Sequence, residues 1–316
     1  ARVHESFVTT VSGYNKFVKW VRKNSCDMEE SAWLFCGENT GDYSKPLCNY
    51  LYGRGYDVWL ENAKCIKDAS GLRRLKSDKA DSAMIAEYAM RNYDRAELYI
   101  PLNESLSQLR ELFLFRQMLV RQKHGFQVRR GEKNRVMEKS SVKTAISQIG
   151  RHMVNECNKQ IEKVERRIKD IIDGDEELKR TYELITTIPG IGTQNAVCLL
   201  TFTNNFTRFG YNARKIACYY GIAPFGRDSG TSVHSDPHVH YMANRMLKAM
   251  LTQAALASIR CCAPISHYYH RLLSLGKKKQ VALNNVKNKL IHIITAMARN
   301  NQPFEPEYIN INKLIA

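Results

Sequence analysis

From Ser105 to Asp173 the chain has no proline, and its apolar residues recur at helical spacing: Leu106, Leu109, Phe113 and Val120, then Ile146, Ile149, Met153, Ile161, Val164 and Ile168. A stretch of that length and period is predicted to form two long helices. Its charge sums to about +8. Within it the segment HGFQVRRGEKNR gathers two glycines with Arg129, Arg130, Lys133 and Arg135, so a basic turn is predicted between the helices.

Upstream, residues 31–62 read as an apolar run (AWLFCG), a Gly/Asn/Asp turn, a helical stretch with Leu47, Leu51 and Tyr52, a Gly-rich turn and a second apolar run (YDVWLEN). Strand, helix, strand in that order predicts a parallel pair with a helix on its face. Glu38 falls just past the C-terminal end of the first strand, the edge where open α/β sheets place their sites. The next motif, LKSDKADSAMIAEY, sets Asp78 and Asp81 three apart at a helix start, on one face one turn apart. One reading is an N-cap followed by a first-turn acid that favours the helix dipole. The other is a pair of carboxylates acting with Glu38.

The remaining third opens with LITTIPGIGTQNAVCLL, where two helical patterns flank a turn holding Gly190 and Gly192. Glycines there allow a tight turn with N–H groups facing an anion, the pattern of a helix-hairpin-helix that grips nucleic-acid backbone. A basic helical segment from Arg208 to Cys218, with Lys215, leads into GIAPFGRDSGTSVHSDPHVHY, read as an exposed loop carrying Arg227 and Ser229. A helix with Arg245, Leu247, Lys248 and Leu251 comes next.

The formal charge of +17 points to a polyanionic partner, with nucleic acid ahead of a membrane surface. Between Asp236 and Glu305 there is no acidic residue, while lysines and arginines continue throughout. Nine cysteines without a CxxC pair or regular framework read as reduced thiols. With no signal-peptide pattern and no long apolar run, the expected location is the cytoplasm or nucleoid, with no membrane partner.

Four stretches in order, CGENTGDYSKPL, LKSDKADSAMIAEY, IPGIGTQNAVCLL and YYGIAPFGRDSG followed by NRMLKAMLTQAA, resemble the DEDD-type insertion-sequence recombinases of family one-ten, which include the Piv DNA invertases. The resemblance implies a mixed α/β and α architecture. It comprises a RuvC-like (RNase H-like) domain at 1–100, a basic helical coiled-coil arm at 101–180 and a mainly α transposase domain at 181–316. It implies Glu38, Asp78 and Asp81 as metal ligands for Mg²⁺ or Mn²⁺ and Ser229 as the nucleophile. The family pattern opens with a strand bearing a first aspartate, in a form like GIDVSK, whereas ARVHESFVTTVSGYNKFVKWV resembles the segment after that strand, so the first strand and first acid are missing here.

The implied function is an insertion-sequence transposase that cuts and rejoins donor and target duplex DNA, guided by a structured bridge RNA and working as a homodimer or homotetramer. The expected nucleic-acid contacts are Arg129, Arg130, Lys133, Arg135, Gly190, Gly192, Arg208, Lys215, Arg227, Arg245 and Lys248. The alternatives are a Piv-like invertase, a junction-resolving nuclease, or a catalytically inactive DNA- or RNA-binding derivative.

Overall fold

The computed structural model describes residues 3–25, 28–71, 77–136, 140–229, 233–239 and 244–306, without the side chains of residues 130, 132–136, 227–229 and 233–236. The chain is mostly helical with two small sheets, and it divides into compact units at 1–102 and 103–316.

In the first unit, helix α1 (Val11–Asn24) precedes strand β1 (Leu34–Glu38), helix α2 (Lys45–Tyr52) and strand β2 (Asp57–Glu61). The strands pair in parallel, as the strand, helix, strand order predicts, with Phe35 opposite Val58 and Glu38 opposite Glu61. Side chains alternate across a sheet, and register partners in a parallel pair share a face. Phe35, Val58 and Leu60 therefore point to one side, where they join Val18 of α1, Trp33, and Cys48 and Leu51 of α2. Each large apolar side chain fully withdrawn there contributes about 1.5–3 kcal/mol. Cys36, Glu38, Trp59 and Glu61 point to the other side.

Helices α3 (Ala63–Ala69) and α4 (Asp78–Asn92) come after β2, and α4 packs along β1. The Trp59 and Tyr88 ring centroids are 5.4 Å apart, which seats α4 on the Cys36/Glu38 face. The returning chain bridges Leu98 to Trp59, closing the outer edge of β2.

The second unit begins with helices α5 (Glu104–Val136) and α6 (Ser141–Asp173), packed side by side through a short connection and therefore antiparallel. Leu106, Leu109, Phe113 and Leu119 of α5 are buried, as are Val154, Cys157, Ile161, Val164, Ile168 and Ile172 of α6. Arg116 donates from Nε and Nη2 to Glu165 Oε1, both at 2.7 Å, which fixes the pairing register. The predicted basic turn is corrected: HGFQVRRGEKNR continues α5. Glycine inside a helix costs about 1 kcal/mol relative to alanine, but the residues around Gly125 and Gly131 form helix readily. Phe126 also extends the inward stripe toward Ile149 and Met153 across a shallow groove.

Helices α7 (Glu176–Thr186) and α8 (Thr193–Thr203) flank the IPGIG turn. From Ala196 onward every residue of α8 is buried, and Phe202 meets Phe113 edge to face at 6.1 Å. The expected helix from Arg208 to Cys218 is broken: a 3₁₀ turn at Thr207–Phe209 gives way to helix α9 (Ala213–Tyr219). Gly210 and Tyr211 take left-handed φ values of 54° between them, and Asn212 restarts the chain as the cap of α9.

The expected loop at 221–241 is likewise corrected. It contains strands β3 (Pro224–Ser229) and β4 (Val233–Val239), paired antiparallel with a register shift between Phe225 and Arg227. A three-residue link between extended segments closes a hairpin, even where both strands are polar. Helices α10 (Arg245–Cys261), α11 (Ala263–Ser274) and α12 (Lys279–Asn300) pack against one another and complete the unit around Leu247, Leu251, Val286, Leu290 and Ile294.

Gly190 has φ +92°, and a Cβ there would lie 2.4 Å from the Ser258 backbone nitrogen in α10. It is a half-buried close-approach glycine against α10, whereas a Cβ on Gly192 would meet nothing within 4 Å. Gly190→Ala therefore combines strain with a backbone clash and should destabilise the protein by about 3 kcal/mol or more. Gly192→Ala should cost no more than about 1 kcal/mol. Urea melts of the two variants check this; equal losses would contradict the packing role.

Candidate active site and nucleic-acid interface

Glu38 is the last residue of β1 and is exposed. Its register partner Glu61 ends β2, so the two carboxylates share the α4 face on strands about 4.8 Å apart. Sequence reasoning missed Glu61, although WLEN ends its strand in the manner of FCGE. Glu61 is held in place: Asn62 N donates to Oε1 at 2.6 Å and Tyr88 Oη to Oε2 at 3.1 Å. Burial, reinforced by that hydrogen bond, pushes the Tyr88 phenol up to about 12, so it remains a donor at neutral pH.

Helix α4 is capped by Ser77, whose side chain accepts from Ala80 N. This corrects the capping reading of Asp78: it is the first helical residue, and its carboxylate is not engaged by the cap. Asp78, Asp81, Ile85 and Tyr88 lie on one helical stripe, so the two aspartates extend the line that meets the Glu61 face, about two and nearly three turns before Tyr88. Among the described residues no hydrogen bond or ion pair engages the carboxylates of Glu38, Asp78 or Asp81. The fold thus brings α4 onto the Glu38 face and leaves three carboxylates unpartnered. It does not close them into a ligand set: among the described residues no group of three or more His, Cys, Asp or Glu could hold a metal ion.

Neighbouring thiols are poor nucleophiles. Burial, then the charge of Glu61, raises Cys36 to about 11, and the same two causes raise Cys65. Ser229 ends β3 opposite Val233 in the hairpin of the second unit, and its side chain lies outside the described residues.

The basic residues are scattered over the second unit. Arg129 is exposed on the outer half of α5, while the side chains of Arg130, Lys133, Arg135 and Arg227 lie outside the described residues. Arg208 lies over the rings of Phe209 and Tyr219, at 5.3 and 4.9 Å, and Lys215 is exposed on α9. Arg245 is exposed in the first turn of α10 and Lys248 is half-buried one turn on. Lys287 of α12, not foreseen, is 6% exposed and donates to Thr252 Oγ1 at 3.5 Å. Burial, then the charge of Lys248, lowers its ammonium to about 8. Among the described residues no helix is long and apolar enough to cross a membrane.

The small parallel sheet ends in Glu38 and Glu61, and the second unit is strongly basic. Residues 2–133 match a family model described as "Transposase", of the IS110 DEDD type, and residues 182–270 match one described as "Transposase IS116/IS110/IS902 family". The chain belongs to the IS110 family of insertion-sequence transposases and recombinases. The pilin gene-inverting proteins of Moraxella bovis and Moraxella lacunata are each 23% identical over 304 residues, covering 95% of this chain and 90% of theirs. An uncharacterized 43.6 kDa protein of insertion element IS110 from Streptomyces coelicolor is 32% identical over 122 residues, 39% of this chain and 30% of that one.

Because the folded-state pKa of Lys287 lies below its ordinary value near 10.4, protonation favours the unfolded chain. The penalty is complete below about pH 8 and disappears as pH rises toward 10. Lys287→Met should therefore stabilise the protein at pH 7, by on the order of 2 kcal/mol, with a gain that shrinks above pH 8. Thermal melts at pH 7, 8 and 9.5 test this; a pH-independent gain, or a loss at pH 7, would oppose it.

Proposed function

We propose that the chain cuts and rejoins DNA strands by serine-mediated transesterification, with Glu38, Asp78 and Asp81 holding Mg²⁺ or Mn²⁺. The observation that carries this reading is the packing of α4 on the Glu38 face of the sheet with all three carboxylates unpartnered. Such oxygens are hard donors suited to these ions. A bound ion of this kind lowers the cost of negative charge developing on a scissile phosphate.

The Ser229 hydroxyl attacks phosphorus, and a deoxyribose oxygen leaves as a free hydroxyl, so the strand end is held in a phosphodiester with the protein. A hydroxyl from another strand end then attacks the same phosphorus and releases Ser229, conserving the number of phosphodiester bonds without external energy. Glu61, the register partner of Glu38, is already occupied by Tyr88 and Asn62.

On this reading the first unit is a RuvC-like domain, α5 and α6 form a coiled-coil arm, and the IPGIG turn is a helix-hairpin-helix supported against α10 by Gly190. The formal charge of +17 supports both duplex DNA and a structured guide RNA as partners. Joining two DNA partners favours a homodimer or homotetramer. Site-specific inversion is the second reading, favoured by similarity along 95% of the chain to proteins named for pilin-gene inversion.

Asp78→Asn, Asp81→Asn, Glu38→Gln and Ser229→Ala should each lower strand exchange on the order of 100-fold or more, with duplex binding kept within a few fold. Chelation should abolish exchange and added Mg²⁺ or Mn²⁺ restore it. A gel assay of supercoiled donor and target DNA reads all of these; full exchange by Ser229→Ala rejects the serine, and full exchange by the carboxylate variants rejects the metal site.

A further inference from the structure

We propose that the cleft between the Gly210–Arg214 segment and the last two turns of α12 seats a phosphodiester of duplex DNA, gripped by Arg214 and Arg299 with His292 beside them. The inference rests on the DNA-acting function proposed above and adds a binding site to it. The cleft has a volume of about 470 Å³, and its charged or titratable lining is basic at Arg214, His292 and Arg299, with no acid among its residues. His292, Thr295, Ala296 and Arg299 succeed one another at helical spacing along a single face of α12, so that wall is a rigid rail.

The opposite wall is equally fixed. Phe206 is fully buried and stacks on Tyr211 at 6.2 Å, holding the left-handed turn at Gly210 and Tyr211. Asn212 Oδ1 then accepts from the backbone nitrogens of Arg214 and Lys215. Arg214 consequently projects from the first turn of α9, the helix end at which a cation is disfavoured.

Among the described residues no carboxylate pairs with Arg214, Arg299 or His292, and the one hydrogen bond their side chains make runs from Arg299 Nε to the neighbouring Asn300 side chain at 3.4 Å. Two guanidinium groups lining one cleft without an acid repel each other. A phosphate oxygen pair supplies the missing charge and matches the guanidinium fork. A surface that served only solubility would intersperse both signs.

The test measures duplex-DNA affinity of the full chain against salt, for the natural protein, Arg214→Ala/Arg299→Ala and Arg214→Lys/Arg299→Lys. Each neutralised phosphate contributes about 0.9 to the slope of log K against log salt. Between about 50 and 200 mM salt the natural protein should lose roughly three- to fourfold more affinity than the alanine pair, and the lysine pair should keep most of the slope. Both arginines are exposed, so the variants should melt as the natural protein does. A slope unchanged by the alanine pair overturns the site while leaving the DNA reading standing. A natural protein whose binding ignores salt overturns both. A change of slope on a structured RNA hairpin alone overturns the assignment to DNA.

Discussion

The register of one pair of parallel strands determines what the first unit can do. With Leu34–Glu38 set against Asp57–Glu61, the aromatic and aliphatic residues fall on the side covered by α1 and α2, and Glu38 and Glu61 fall beneath α4. Slipping either strand by one residue would exchange its faces. Carboxylates would then enter a cluster built on Trp33, Phe35 and Leu51, where an unpaired charge costs several kcal/mol. The hydrophobic pattern that folds the unit thus also keeps the acids where α4 and solvent can reach them.

In the second unit the dominant constraint is charge. A segment with no acidic residue between Asp236 and Glu305 still has to fold, and it does so by burying Leu247, Leu251, Leu290 and Ile294 while most of its basic side chains remain exposed. Lys287 departs from that rule, and its depressed ammonium is the physical trace of the departure. Self-repulsion on this scale favours a polyanionic partner.

Much of this was legible in the residues, and the failures share a cause. The apolar runs around the Gly-rich turn announced the parallel pair, and the proline-free stretch announced α5 and α6, because each signal is local and repeated. Gly125 and Gly131 suggested a turn because glycine is locally permissive, yet the helix continued through them along the stripe marked by Phe126. Ser, Gly and His between residues 221 and 241 suggested a loop, since polar strands lack the alternation that reveals a hairpin. The close approach of Gly190 to Ser258 was not legible because the two are remote in sequence. Glu61 went unnoticed because its significance comes from pairing with Glu38, which only the sheet creates.

A serine hydroxyl is proposed to carry the strand between breakage and rejoining. The most direct measurement traps the protein on a suicide DNA substrate in the presence of Mg²⁺, digests it, and maps the nucleotide-bearing peptide by mass spectrometry. The expected result is a phosphodiester on Ser229. Cleaved DNA with no protein attached, or an adduct on any other residue, would contradict it.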